Sequence, residues 1–262
     1  DFSPAERLLF MTPQLKGLQA PMLLRYAFGK TGSFEESFAD SVTVSLSAKE
    51  DGRCCDAKGV FLSGARKLQV PDVPAAEGNP VILYFLEHDV REMKRLTRGS
   101  DYHFRKRIRM GIYQAAEVRD VSLRYQGRAI KGKEIAYSPS QDDPNRPKSE
   151  KFATKSYRFT LSDAVPGGVY GIRTSIPGES AAAQPLVVEE LLIEGAKAPA
   201  RWRLLPLKNS SSERHEKNSP PSLLSSGPPD GRAWRAARER LSHGGPRALR
   251  AGMHRRASGR RQ

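Results

Sequence analysis

The chain reads as an α+β protein: an antiparallel, β-rich body, an open or half-barrel sheet, packed on one or two central helices. Three observations predict this. Short runs of alternating apolar and polar residues recur along residues 1–207, each bounded by turn residues. A single strongly helical pattern interrupts them near the middle of the chain. The last 55 residues then change vocabulary altogether.

Leu23, Leu24, Tyr26 and Phe28 mark a first strand. Val42, Val44 and Leu46 alternate with Thr43, Ser45 and Ser47, which puts one face inward. Asp51-Gly52 signals a hairpin, with the return strand over 54–62. Leu68 and Val70 suggest another short strand, stopped by Pro71 and Pro74. The spacing then predicts a helix over 80–98. Asn79 is its cap, Pro80 sits at the first position, and Gly99 is the residue that ends it. Its apolar stripe is Leu83, Leu86, Val90 and Met93, with Glu87 and Arg91 paired one turn apart.

Residues 101–116 fit either periodicity. Phe104, Ile108 and Ile112 suit a helix capped by Ser100 or Asp101, yet Phe104, Ile108 and Met110 also alternate with Arg105, Arg107 and Arg109. The helix is favoured. Strand signals resume at Val121, Leu123 and Tyr125, then over 130–137, and a polar loop follows over 140–151. Tyr157, Phe159 and Leu161 alternate next. Pro166-Gly167-Gly168 turns the chain into Tyr170, Ile172 and Thr174, and 187–193 is the last apolar segment.

Charge separates body from tail. The full chain of 262 residues carries a net charge of +15. From Lys208 onward there are 13 Lys+Arg and 4 Asp+Glu, among Gly, Pro, Ala and Ser. Apolar residues are too few there to offset the entropy of ordering the backbone, so 208–262 is predicted to be a disordered tail beyond a single domain at 1–207. Three readings of the tail stay open: a solvated extension, an Arg-rich arm for nucleic acid, or the product of a GC-rich gene read out of frame.

Several chemistries are disfavoured. The longest apolar run, 81–86, is six residues, whereas a membrane helix needs roughly 18. Two adjacent cysteines, Cys54 and Cys55, cannot build a disulfide scaffold or a cysteine metal site, though they could form a vicinal disulfide. No His-x-x-x-His spacing, phosphate loop or dinucleotide fingerprint occurs, so no metal, cofactor or catalytic residue is predicted. His88 and Ser162 are the only handles for a hydrolase; the plainer readings are a hydrogen-bonded histidine and a turn serine.

The most distinctive body feature is Arg105-Lys106-Arg107-Ile108-Arg109, flanked by Tyr102, Phe104 and Tyr113. Basic residues among aromatics suit anionic headgroups or nucleic acid. The candidate binding residues are accordingly Leu86, Met93, Phe104 and Ile108 along an apolar crevice, with Arg105, Arg107 and Arg109 at its rim. A lipid-like or anionic ligand is expected there. A nucleic acid is the alternative partner.

Leu86-Glu87-His88-Asp89-Val90-Arg91-Glu92-Met93, 102–109, and Leu161-Ser162-Asp163-Ala164-Val165-Pro166-Gly167-Gly168-Val169-Tyr170 resemble uncharacterised exported proteins of Gram-negative bacteria. The resemblance covers about 5–205 and implies a periplasmic protein whose signal peptide has been removed, consistent with a first residue of Asp1; it implies no catalytic residue. In architecture alone, strands around a central helix resemble periplasmic half-barrel lipoprotein carriers.

Overall fold

Alternation explains how the sheet meets its helices. In β1 (Met22–Thr31), Leu24, Tyr26, Phe28 and Lys30 are buried and the intervening residues are more exposed. In β2 (Phe38–Ala48) the buried set is Val42, Val44 and Leu46. β3 (Cys54–Phe61) returns antiparallel to β2, with Val44 opposite Gly59. The computed structural model describes residues 1–49, 54–138, 154–180 and 183–202. The Asp51-Gly52 turn, the whole 140–151 loop and the whole basic tail, 208–262, therefore lie outside the described residues.

Five further strands complete one antiparallel sheet: β4 (Glu117–Tyr125), β5 (Arg128–Tyr137), β6 (Ser156–Leu161), β7 (Val169–Ile176) and β8 (Val187–Ile193). Their order is β3-β2-β1-β8-β7-β6-β5-β4, so the sheet is open and its first and last described strands pair in its interior, third and fourth from one edge. β7 and β8 are buried on both faces, which hid their alternation in the sequence. The predicted α+β architecture is what the chain adopts.

One face of the sheet carries the helices. α1 (Pro4–Glu6) is a single turn that continues as a π-turn through Arg7–Met11; Ser3 caps it in a box closed by Glu6. α2 (Val81–Thr97) and α3 (Asp101–Ala115) follow one another over the middle of the sheet. Asn79 begins α2 by accepting from the Val81 amide at 3.1 Å, while its Nδ2 donates to the Tyr26 hydroxyl and the Gly167 carbonyl. Ser100, not Asp101, caps α3 by accepting from the His103 amide. The 101–116 ambiguity resolves as helix.

Part of the opposite face, over β7, is covered by the chain after β8, while the outer sides of β1 and β2 are exposed. A turn at Ala200–Trp202 buries Trp202, which lies where a side chain at Gly171 would project. On this face Glu134 is buried and accepts from Arg119, Arg158 and Arg201 at 2.9, 3.1 and 3.0 Å. Three guanidiniums around one carboxylate compensate for its lost hydration.

Three local expectations need correction. Leu68 and Val70 form no strand; Leu68 and Val73 make isolated bridges to Phe61 and Ala57, because Pro71 and Pro74 deny the run a ladder. Gly99 is not the left-handed residue that ends α2. Arg98 takes that conformation at φ 58°, and Gly99 is instead required for space, since a Cβ there would lie 2.7 Å from the Phe104 ring. The stripe on α2 is rotated: Ile82, Phe85, His88 and Asp89 face the sheet, and Leu83 is 57% exposed.

A close approach of the same kind holds β3 under α2. A Cβ at Gly59 would stand 2.3 Å from Cε2 of Tyr84. Gly59→Ala is expected to destabilise the protein by about 1–3 kcal/mol through overpacking, read as a lowered urea midpoint with unchanged slope.

Candidate functional site

The rotation of α2 leaves Leu83, Leu86 and part of Val90 on its outer side, facing Ile108 and Ile112 of α3. The N-terminal segment closes one end with Phe2 and Phe10, and the 69–73 connection closes the other with Val70, Pro71 and Val73. The result is an apolar groove with a volume of about 640 Å³. That is within the range of small-molecule sites, roughly 300–1,000 Å³. Charged groups sit only at its margin: Glu6, Glu87, Arg91, Arg105 and Arg109.

Those charges are not equivalent. Arg105 grips Glu87 with two nitrogens, the closest contact being 2.8 Å, and Arg91 reaches the same carboxylate at 3.5 Å. Glu6 accepts from the Ser3 amide at 2.9 Å. Arg109 forms no ion pair with any described residue, which leaves one guanidinium on the groove without a counter-charge.

The sequence-predicted residues divide accordingly. Leu86, Ile108, Arg105 and Arg109 line the groove together. Met93 and Phe104 do not; both are buried in the core between helices and sheet. Arg107 lies on the same helix but is not part of the lining. The space between α2 and the sheet is filled by side chains, and the open groove lies on the outer side of the helix. Leu83, Phe2 and Phe10 were missed. Leu83 was assigned to the core stripe, and no periodicity links Phe2 or Phe10 to a groove eighty residues away.

Beneath α2 lies a second polar feature that the sequence concealed. Asp89, fully buried, pairs with the ammonium of Lys155 and accepts from the Tyr157 hydroxyl at 2.7 Å. Lys30 donates to Glu35 and Glu92 at 2.7 Å each and stands 3.8 Å from Glu189. Nε2 of His88 is 3.2 Å from Oε1 of Glu189. Burial alone would push the Glu189 carboxyl up, but the hydrogen bond and field of His88, then the ammoniums of Lys155 and Lys30, bring it down to about 2. The other Glu189 oxygen and the facing Thr174 hydroxyl have no hydrogen-bond partner among the described residues. Burial, and then the charge of Asp89, hold the stacked phenols of Tyr137 and Tyr157 well above their ordinary value.

The hydrolase handles stay apart. Ser162 donates to the Lys131 carbonyl at 2.6 Å and accepts from the Ala164 amide, a turn serine; His88 is engaged with Glu189. Glu190, next to Glu189, faces the other way and pairs with Arg173, as strand alternation requires. The sulfurs of Cys54 and Cys55 lie against each other at the start of β3. Among the described residues no cluster of three or more His, Cys, Asp or Glu could hold a metal ion. No described helix is long and apolar enough to cross a membrane.

No family model matches the chain, and no curated protein matches it. Among solved structures it is similar to the crystal structure of the Mycobacterium tuberculosis lipoprotein LppX at 12% identity. That match covers 74% of this chain and 94% of that chain, with a TM-score of 0.30. A superposition so loose says nothing about activity.

Proposed function

We propose that the protein is a non-enzymatic binding protein of the periplasm that holds a lipid-like, anionic amphiphile in the groove between α2, α3 and the N-terminal segment. The observation that carries this is Leu83, exposed on the wall of an apolar groove beside an Arg109 that has no counter-ion among the described residues. An alkyl chain would cover Leu83, Phe10 and the half-buried Leu86, over a floor formed by the buried Val90 and Ile108, and an acidic head would meet Arg109. Burying that apolar wall contributes about 25 cal/mol per Å², and a charge-assisted hydrogen bond fixes the ligand's direction. The periplasmic location rests on the resemblance of the 86–93, 102–109 and 161–170 segments to exported proteins.

Equilibrium dialysis against hexadecanoate and against hexadecanol tests the reading. Hexadecanoate is expected to bind, and the uncharged alcohol more weakly by about tenfold, the value of one charged hydrogen bond. Leu83→Asp should reduce hexadecanoate binding at least tenfold without lowering the melting temperature. The side chain is exposed, and an acid in the first turn of a helix suits the dipole. No uptake of hexadecanoate, or uptake indifferent to Leu83→Asp, would refute the proposal.

A further inference from the structure

The outer face of α3 continues beyond the groove. Tyr102, Lys106, Arg109 and Tyr113 follow one another at helical spacing, and Met110 lies beside them. All five are exposed, Tyr102 to 75%. With Phe2, Arg105 and the carboxylates of Asp1 and Glu6 they surround a shallow depression of about 630 Å³, which shares Phe2, Glu6, Arg105 and Arg109 with the groove. Neither Lys106 nor Arg109 has an ion-pair partner among the described residues. A solvated helix face would place its aromatics inward and its charges outward. This one places both outward.

We propose that this face docks the protein onto an anionic lipid bilayer surface. Tyr102 and Tyr113 each have an apolar ring and a polar tip, the combination that settles at the headgroup level. Phe2 and Met110 supply the wholly apolar contact. Lys106 and Arg109, which pair with no described residue, find their counter-charges in acidic headgroups. A bilayer fits better than a folded partner because the surface is shallow and its two cations lie between two rings along one line. The inference does not depend on a ligand in the groove, although a surface that meets lipid next to a groove that holds it would serve the same traffic.

The full-length protein is sedimented with vesicles of phosphatidylcholine alone and of phosphatidylcholine containing one-third phosphatidylglycerol. Binding is expected to the anionic vesicles, to weaken in high salt as charges are screened, and to fall at least tenfold in a Tyr102→Ser, Lys106→Glu, Tyr113→Ser variant. The basic tail is common to both proteins and cancels in that ratio. Hexadecanoate binding should be unchanged in the variant, since none of the three residues lines the groove. This separates failure of the docking face from failure of the groove. Lys106→Glu alone, an exposed single change, should cost about fivefold or more and stands in if the triple variant folds poorly. Equal binding of variant and parent, equal binding to neutral vesicles, or a preference for duplex DNA that the variant abolishes would overturn the proposal.

Discussion

Asp89→Ala is expected to destabilise the protein by about 3–5 kcal/mol, the cost of removing one partner from a buried ion pair. Asp89 is fully buried on α2 and has two partners from the β6 side, the Lys155 ammonium and the Tyr157 hydroxyl. Removing the carboxylate leaves a buried cation without its ion-pair partner, with the Tyr157 ring and the more distant charge of Glu189 near it, and an unpaired phenol beside Tyr137. The pair itself contributes less than this loss suggests, because both ions were taken out of water to make it. Asp89→Leu with Lys155→Met should therefore recover most of the stability. Urea unfolding of the single and double variants measures both. A loss below about 1 kcal/mol in Asp89→Ala would mean that Lys155 escapes to solvent and that the pair does not anchor α2.

Acid should unfold the protein through Glu189. Its folded-state carboxyl lies near 2 against an ordinary 4.5, so the folded form binds the proton less readily than the unfolded one. Stability from this group is thus fully present above about pH 4.5 and is lost progressively as the pH falls toward about 2. The whole contribution is about 3 kcal/mol, taking 1.4 kcal/mol per pH unit of displacement. His88, Lys30 and Lys155 all face this carboxylate, and Glu35 and Glu92 around Lys30 are displaced in the same direction. Glu189→Gln should lower stability at neutral pH and flatten the acid limb of the curve. Unfolding free energies at several pH values between 2 and 7 provide the check, and an acid limb as steep in the variant as in the parent would remove Glu189 from the account.

The elements legible in the sequence were those with one wet face. β1 and β2 alternate cleanly because their outer sides meet solvent, and α2 announced itself through Asn79, Pro80 and its length. β7 and β8 did not show which of their residues face the helices, since Gly171, Arg173 and Glu190 are covered by the returning chain or by each other. The face of α2 was misread for a related reason. It carries apolar residues on two sides, one for the sheet and one for the groove, and a stripe drawn through Leu83 joined the wrong set. The buried ion pairs were illegible in principle, because Asp89 and Lys155, or His88 and Glu189, are brought together by topology alone. Of the groove, Leu86, Ile108, Arg105 and Arg109 were found from helix spacing, while Phe2, Phe10 and Leu83 required the fold.

The interior pairing of the sheet also orders the life of the chain. Tyr26 pairs with Ile193, and Phe28 with Leu191. During synthesis β1, β2 and β3 emerge first and can zip together locally, but the inner edge of β1 stays bare until almost the entire body has left the ribosome. Until then Leu24, Tyr26 and Phe28 have only half of their sheet, and the strand offers an unpaired ladder to any neighbour. Closing so long a loop is slow relative to hairpin formation. A chain cut short before β8 would therefore expose the interior of its sheet, not a margin, and a nascent-chain series sampled for protease resistance should gain protection in one late step rather than strand by strand.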